Sequence, residues 1–127
     1  MQAHFIKTDF FKIEPDEDNE TNPGIYGRAF SSWVAASLRT KGVAVEGVIP
    51  EDFGWCVMLQ RKPSRVWVAC GNREESQNEW GAYIVSEPSI VQRLFGKAPS
   101  AAELERLNSL VADVVKSVPG GYDYSVE

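Results

Sequence analysis

The stretch IPEDFGWC, Ile49 to Cys56, sets two carboxylates beside two aromatic rings, with Pro50 ahead of Glu51 and Asp52 and Gly54 between Phe53 and Trp55. Adjacent carboxylates suit acid–base work, ligation of a hard cation or contact with a basic partner. Neighbouring residues on a strand point to opposite faces, so Glu51 and Asp52 meet one ligand only if a turn bends them together. A metal would need a third carboxylate from Asp16, Glu17, Asp18 or Glu79. The plainer reading is a turn feeding a strand: Asp52 bonds nearby amides, Phe53 staples the turn to the core, and Gly54 supplies positive φ.

Other chemistry-bearing residues are sparse. The acidic run EPDEDNE, Glu14 to Glu20, is rich in oxygen but lacks the central glycine and the distant glutamate of a calcium loop. It reads as a solvated loop, or as a docking patch for a basic partner. His4 is the only histidine and falls near the amino terminus, where fraying is expected, so a Ser–His or Cys–His nucleophile has poor support. One histidine also excludes a histidine-built metal site, and no phosphate-cradling glycine motif occurs. No metal or cofactor is expected. Cys56 and Cys70 lie in apolar runs without C-x-x-C spacing and read as buried free thiols.

The chain has 127 residues, 43% of them apolar, enough for one packed domain spanning 1–127 and no second core. Net charge is −5, and Glu14, Asp16, Glu17, Asp18 and Glu20 account for all of it, so the acidity is local. Scattered basic residues disfavour nucleic-acid binding. No apolar run reaches the ~20 residues of a membrane span, and MQAHFIKTDFF lacks signal-peptide order, so a cytoplasmic protein is expected.

The elements that would position these groups follow from periodicity. His4 to Ile13 reads as a first strand with a phase change near Thr8 and Asp9. Residues 14–23 form the exposed acidic loop. From Pro23 to Gly42, Tyr26, Phe30, Trp33, Val34 and Leu38 recur at helical spacing, while Gly24 and Gly27 weaken the first turn or admit a close backbone. Val43–Val48, Gly54–Arg61, Arg65–Gly71 and Glu79–Ser86 read as four strands of an antiparallel meander. PSIVQRLFGKAP, with Ile90, Val91, Leu94 and Phe95 before Gly96, reads as a short helix. Ser100 and Glu103 form a capping box for a longer one that carries Leu104, Leu107, Val111, Val114, Val115 and Val118. Residues 119–127 read as a polar tail, pinned by Tyr122 or Tyr124.

The order β-α-β-β-β-β-α-α predicts an α+β domain: an antiparallel sheet of about five strands with helices on one face. That order is similar to a cystatin-like or shortened helix-grip layout, in which a curved sheet wraps a helix. The combination of NPGIYGRAFSSWVAASLRTKG and IPEDFGWC resembles short uncharacterised bacterial proteins with a P-E-D-[FW]-G-W segment after an amphipathic helix; the resemblance covers the first half of the chain and implies no activity.

The tryptophans depend on register. If Arg61 pairs with Arg65, Trp55 and Trp67 share a face, and a one-residue slip separates them. An indole cluster on the face away from the helices would form a patch needing a partner, a second copy or a flat ligand.

The leading expectation is a noncatalytic protein-binding module, of which an immunity or inhibitor-like protein is one form. Asp16, Glu17 and Asp18 would steer the encounter, and Glu51, Asp52 and Trp55 would make contacts. The alternative is a small-molecule binder or carboxylate hydrolase with a pocket between the first helix and the sheet, lined by Tyr26, Trp33 and Trp55. A homodimer through a sheet face or edge is the third.

Overall fold

A computed structural model describes residues 2–87 and 99–127. The helix expected over Pro88–Gly96 lies outside the described residues. The described elements are β1 (His4–Lys7), α1 (Arg28–Thr40), β2 (Gly47–Glu51), β3 (Gly54–Gln60), β4 (Arg65–Asn72), β5 (Glu79–Glu87), α2 (Ala101–Lys116) and β6 (Tyr122–Val126). They form one α+β unit with a six-stranded antiparallel sheet in the order β2-β3-β4-β5-β1-β6. Among the described residues no helix is long and apolar enough to cross a membrane.

The sixth strand corrects the expectation of about five. The segment read as a polar tail pairs with β1, His4 opposite Val126 and Phe5 opposite Ser125. Its sequence, YDYSV, has an edge strand's alternation but too few apolar residues to announce itself. The first strand is correspondingly shorter than expected: it stops at Lys7, and the Thr8 hydroxyl donates to the Pro119 carbonyl at 2.7 Å. His4 is not frayed. It is 2% exposed, with Nδ1 2.7 Å from the Tyr124 hydroxyl and Nε2 2.8 Å from Asn108 Oδ1, which ties β1 to β6 and α2.

α1 follows its hydrophobic spacing. Phe30, Val34 and Leu38 recur every fourth residue and are fully buried against the sheet. The helix ends in a Schellman motif: Gly42 has φ +84°, and the Val43 and Gly42 amides donate to the Leu38 and Arg39 carbonyls. α2 starts with the expected capping box; the Glu103 amide donates to Ser100 Oγ at 3.1 Å and the Ser100 amide to Glu103 Oε2 at 3.4 Å. Its Val111, Val114 and Val115 join the same core as Phe30 and Val34. α1 packs over β2, β3 and β4, and α2 over β5 and β1.

The start of α1 is held from outside the helix. Glu17, in a single 3-10 turn at Glu17–Asn19, is 2% exposed. Its Oε2 accepts from the Gly27 and Arg28 amides at 2.8 and 3.1 Å, and its Oε1 from the Glu14 amide at 3.2 Å. The first amides of a helix have no partner within it and carry partial positive charge, so a carboxylate there satisfies both needs. Gly27 is required for the approach: its φ is +151°, and a Cβ would stand 3.2 Å from Gly71 Cα and 3.1 Å from the Trp55 ring. Replacing Glu17 by Ala strands these amides in a buried site and is expected to cost about 2 kcal/mol, with Gln intermediate. Urea unfolding monitored by circular dichroism checks this, with Glu14→Ala as an exposed control near zero.

Candidate functional site

The register of β3 and β4 decides which side chains share a face. Trp55 stands opposite Cys70, Val57 opposite Val68 and Met58 opposite Trp67, with a bulge between Met58 and Gln60. Trp55, Val57, Val68 and Cys70 therefore face the helices, while Cys56, Met58, Trp67 and Ala69 cluster on the other side with Ile49 and Val85. Trp55 and Trp67 point away from each other, the outcome of the shifted register. The two thiols are free and lie on opposite faces.

The face that neither described helix covers carries two adjoining cavities that share Phe53. One, of about 200 Å3, has Ala69, Gly71 and Gly81 as its floor and Phe5, Phe53 and Tyr83 as its walls. The small residues make room for the rings: a Cβ on Gly81 would stand 2.5 Å from the Phe5 ring. Phe5 is held under the Arg73 guanidinium, 4.2 Å from its centroid, and Arg73 bridges to Glu79 and Glu127. Hydrogen bonding to Glu127, more than the nearby charges, raises the Arg73 pKa further above its ordinary value. Phe53 and Tyr83 are 56% and 40% exposed, large for aromatic rings beside an apolar floor.

The second cavity, about 320 Å3, has Met58, Cys56 and Trp67 on its apolar floor, with Glu51, Arg61 and Arg65 among its charged walls. The Arg65 guanidinium lies over the Trp67 ring, 5.3 Å from the centroid, and 4.0 Å from Glu87. Arg61 is 3.8 Å from Glu46. Both arginines are about half exposed, so these pairings are weak and leave the guanidinium groups available. The Trp67 indole nitrogen is buried and has no hydrogen-bond partner among the described residues.

The sequence-derived site residues disperse over this framework. Asp16 is exposed with φ +62°, and Glu17 is the buried helix cap, a correction to its role in a solvated docking loop. Asp18 is half-buried and accepts from the Gly24 amide at 2.9 Å, and Glu20 pairs with Arg28. Glu51 and Asp52 are exposed at the β2–β3 turn; Glu51 lines the second cavity, whereas the Asp52 carbonyl accepts from the Asn22 amide at 3.0 Å. Phe53 does not staple the turn to the main core but stands on the opposite face. Gly54 does supply the positive φ, +150°, at a point where a Cβ would stand 2.6 Å from the Cys70 carbonyl oxygen.

Tyr26, Trp33 and Trp55, the expected lining of a pocket between the first helix and the sheet, pack in or against the main core. Trp55 is 4% exposed, with the Arg28 guanidinium 5.4 Å from its centroid. Trp33 packs edge-on against Phe11 at 5.9 Å, and Phe11 in turn against Phe30 and Trp80. Tyr26 precedes the helix, its amide donating to Asn72 Oδ1 at 2.9 Å and its carbonyl accepting from the Asn72 amide at 3.1 Å. Of the residues not anticipated as a site, Phe5, Trp67 and Tyr83, only Trp67 lies in a run that hints at it: WCVML and VWVAC are apolar at every position, so β3 and β4 present apolar side chains to both faces.

Among the described residues no group of three or more His, Cys, Asp or Glu could hold a metal ion. No family model matches the chain, and no curated protein or solved structure matches it.

Cys56 lines the second cavity. Burial first, and then the Glu51 charge, push its thiol up to about 11, with Arg65 acting in the opposite sense. The thiolate is the reactive form, so alkylation in the native state should rise about tenfold per pH unit between roughly pH 8 and 10. Glu51→Gln lowers the thiol pKa and should speed the reaction at a fixed pH, whereas Arg65→Gln should slow it. Timed iodoacetamide labelling read by peptide mass spectrometry checks both signs, and burial predicts that Cys70 stays unlabelled until the protein unfolds.

Proposed function

We propose that this chain is a noncatalytic protein-binding module of the cytoplasm whose recognition surface is the face of the sheet that neither described helix covers, centred on Phe53. The observation that carries this reading is the pair of exposed rings, Phe53 and Tyr83, standing over an apolar floor with side chains of low conformational freedom. Aromatic anchors around a desolvated centre are what protein interfaces concentrate, and Trp, Tyr and Arg supply most hot spots. Arg65 and Trp67 line the adjoining cavity, and Arg73 lies over the Phe5 ring.

The acidic segment has a smaller part in this reading than its charge suggested. Glu17, Asp18 and Glu20 are engaged within the fold, which leaves Glu14 and Asp16 as its exposed steering charges. An immunity or inhibitor-like protein remains the concrete form proposed, since such a protein needs a rigid surface and no chemistry of its own.

The experiment is a paired capture with the native chain, a Phe53→Ser/Tyr83→Ser variant and a Glu14→Gln/Asp16→Asn variant, followed by affinity measurement on the protein retained. Loss of about 30-fold or more in affinity with the aromatic variant is expected, the scale of a hot-spot pair, against less than about threefold for the acidic one. The reverse ranking would return the docking role to the acidic segment. Capture of this chain by itself, confirmed by light scattering, would make the face a homodimer interface.

A further inference from the structure

The second cavity is polarised along its length. Glu51 pairs with Gly54 at one end of β3, and Arg61 follows Gln60 at the other, so about 20 Å of strand separates the two ends. Arg65 stands with Arg61 at that far end, across the hairpin; their partners Glu87 and Glu46, at 4.0 and 3.8 Å, are exposed and only loosely engaged. Between the ends the floor is apolar, with Met58 2% and Cys56 5% exposed. A carboxylate with no ion-pair partner among the described residues at one end, two exposed guanidinium groups only weakly paired with Glu46 and Glu87 at the other, and a greasy middle favour an occupant with the complementary order of charges.

Trp67 adds a separate indication. It is 7% exposed, lines this cavity, and its indole N–H has no acceptor among the described residues. Trp55 and Trp80 share that lack, but both belong to the packed core beneath the helices, where no occupant can reach them. A buried donor without a partner carries a desolvation cost that an incoming carbonyl or carboxylate oxygen removes.

We infer that this cavity receives an extended segment of the protein partner lying along β3. Its apolar side chains rest on Met58 and Trp67, a cationic residue faces Glu51, and an anionic residue faces Arg61 and Arg65. The inference rests on the proposal that the face carrying Phe53 binds protein, and it specifies what that protein must present. A compact free ligand fits less well, because it cannot touch both charged ends at once. A segment with alternating side chains does so naturally, since every second residue of an extended chain points to the same side.

Synthetic peptides test this without the natural partner. Lys-Ser-Val-Ser-Leu-Ser-Glu, capped at both ends, spans the floor with its charges at opposite ends; the controls carry Lys at both ends or Glu at both ends. Titration into 15N-labelled protein should move the Trp67 indole N–H resonance and the amides of β3. The balanced peptide should bind about twofold to fivefold more tightly than either control, a preference that fades at about 0.5 M salt. Glu51→Gln should improve binding of the double-Glu peptide alone, and Arg65→Gln that of the double-Lys peptide alone. Equal binding of all three peptides, shifts that map elsewhere, or no binding at all would overturn the inference. In that event the Phe53/Tyr83 capture result still stands or falls by itself, so the two failures are distinguishable.

Discussion

The rest of the molecule depends on one buried carboxylate. Glu17 holds three backbone amides, two of them from the first turn of α1, and so fixes where that helix begins and how it meets the sheet. A carboxylate taken out of water is costly unless its lone pairs are filled, and here they are filled by amides that would otherwise be stranded themselves. The cost of each is offset by the other. Asn72 completes the junction from the sheet side, bonding the Tyr26 amide and the Gly24 and Ser76 carbonyls. Gly27 and Gly71 let the two backbones come together at that point.

With α1 fixed there, Phe30, Val34 and Leu38 cover Trp55, Val57 and Val68, and α2 covers the β1–β5 side of the same face. Both described helices are committed to one side. The central strands, however, are apolar on both. A sheet with one covered face normally alternates apolar and polar residues, and β3 and β4 do not. The apolar second face is therefore a property of the strands themselves, and the exposed rings of Phe53 and Tyr83 mark where it meets solvent. This departure from alternation leaves apolar side chains on the face that neither described helix covers.

Both ends of the chain contribute to the same arrangement. His4 and Tyr124 join β1 to β6, and burial, followed by the charge of Asp113, raises the Tyr124 phenol pKa. The Arg73–Glu127 bridge ties the last residue to the loop beside Phe5, the ring that walls the first cavity. The closing strand thus supports a site wall although none of its residues lines that cavity.

The sequence by itself determined the local elements. Helical spacing located α1 and α2, S-x-x-E located the cap of α2, Gly42 stopped α1, and apolar runs located β3, β4 and β5, because these signals arise within a few residues of one another. It also identified Gly54 as a turn residue and the cysteines as buried thiols. Tertiary structure decided what depends on residues far apart in the chain. A bulge near Leu59 separated Trp55 from Trp67; partners ten residues away made Glu17 a cap rather than a docking charge; and β1, a hundred residues upstream, converted YDYSV into a strand. The candidate site belongs to this second group. Its residues come from β1 through β5, and no local pattern records that Phe5, Phe53, Trp67 and Tyr83 share a face, because a period of two residues tells which side chains alternate and not which side the helices will cover.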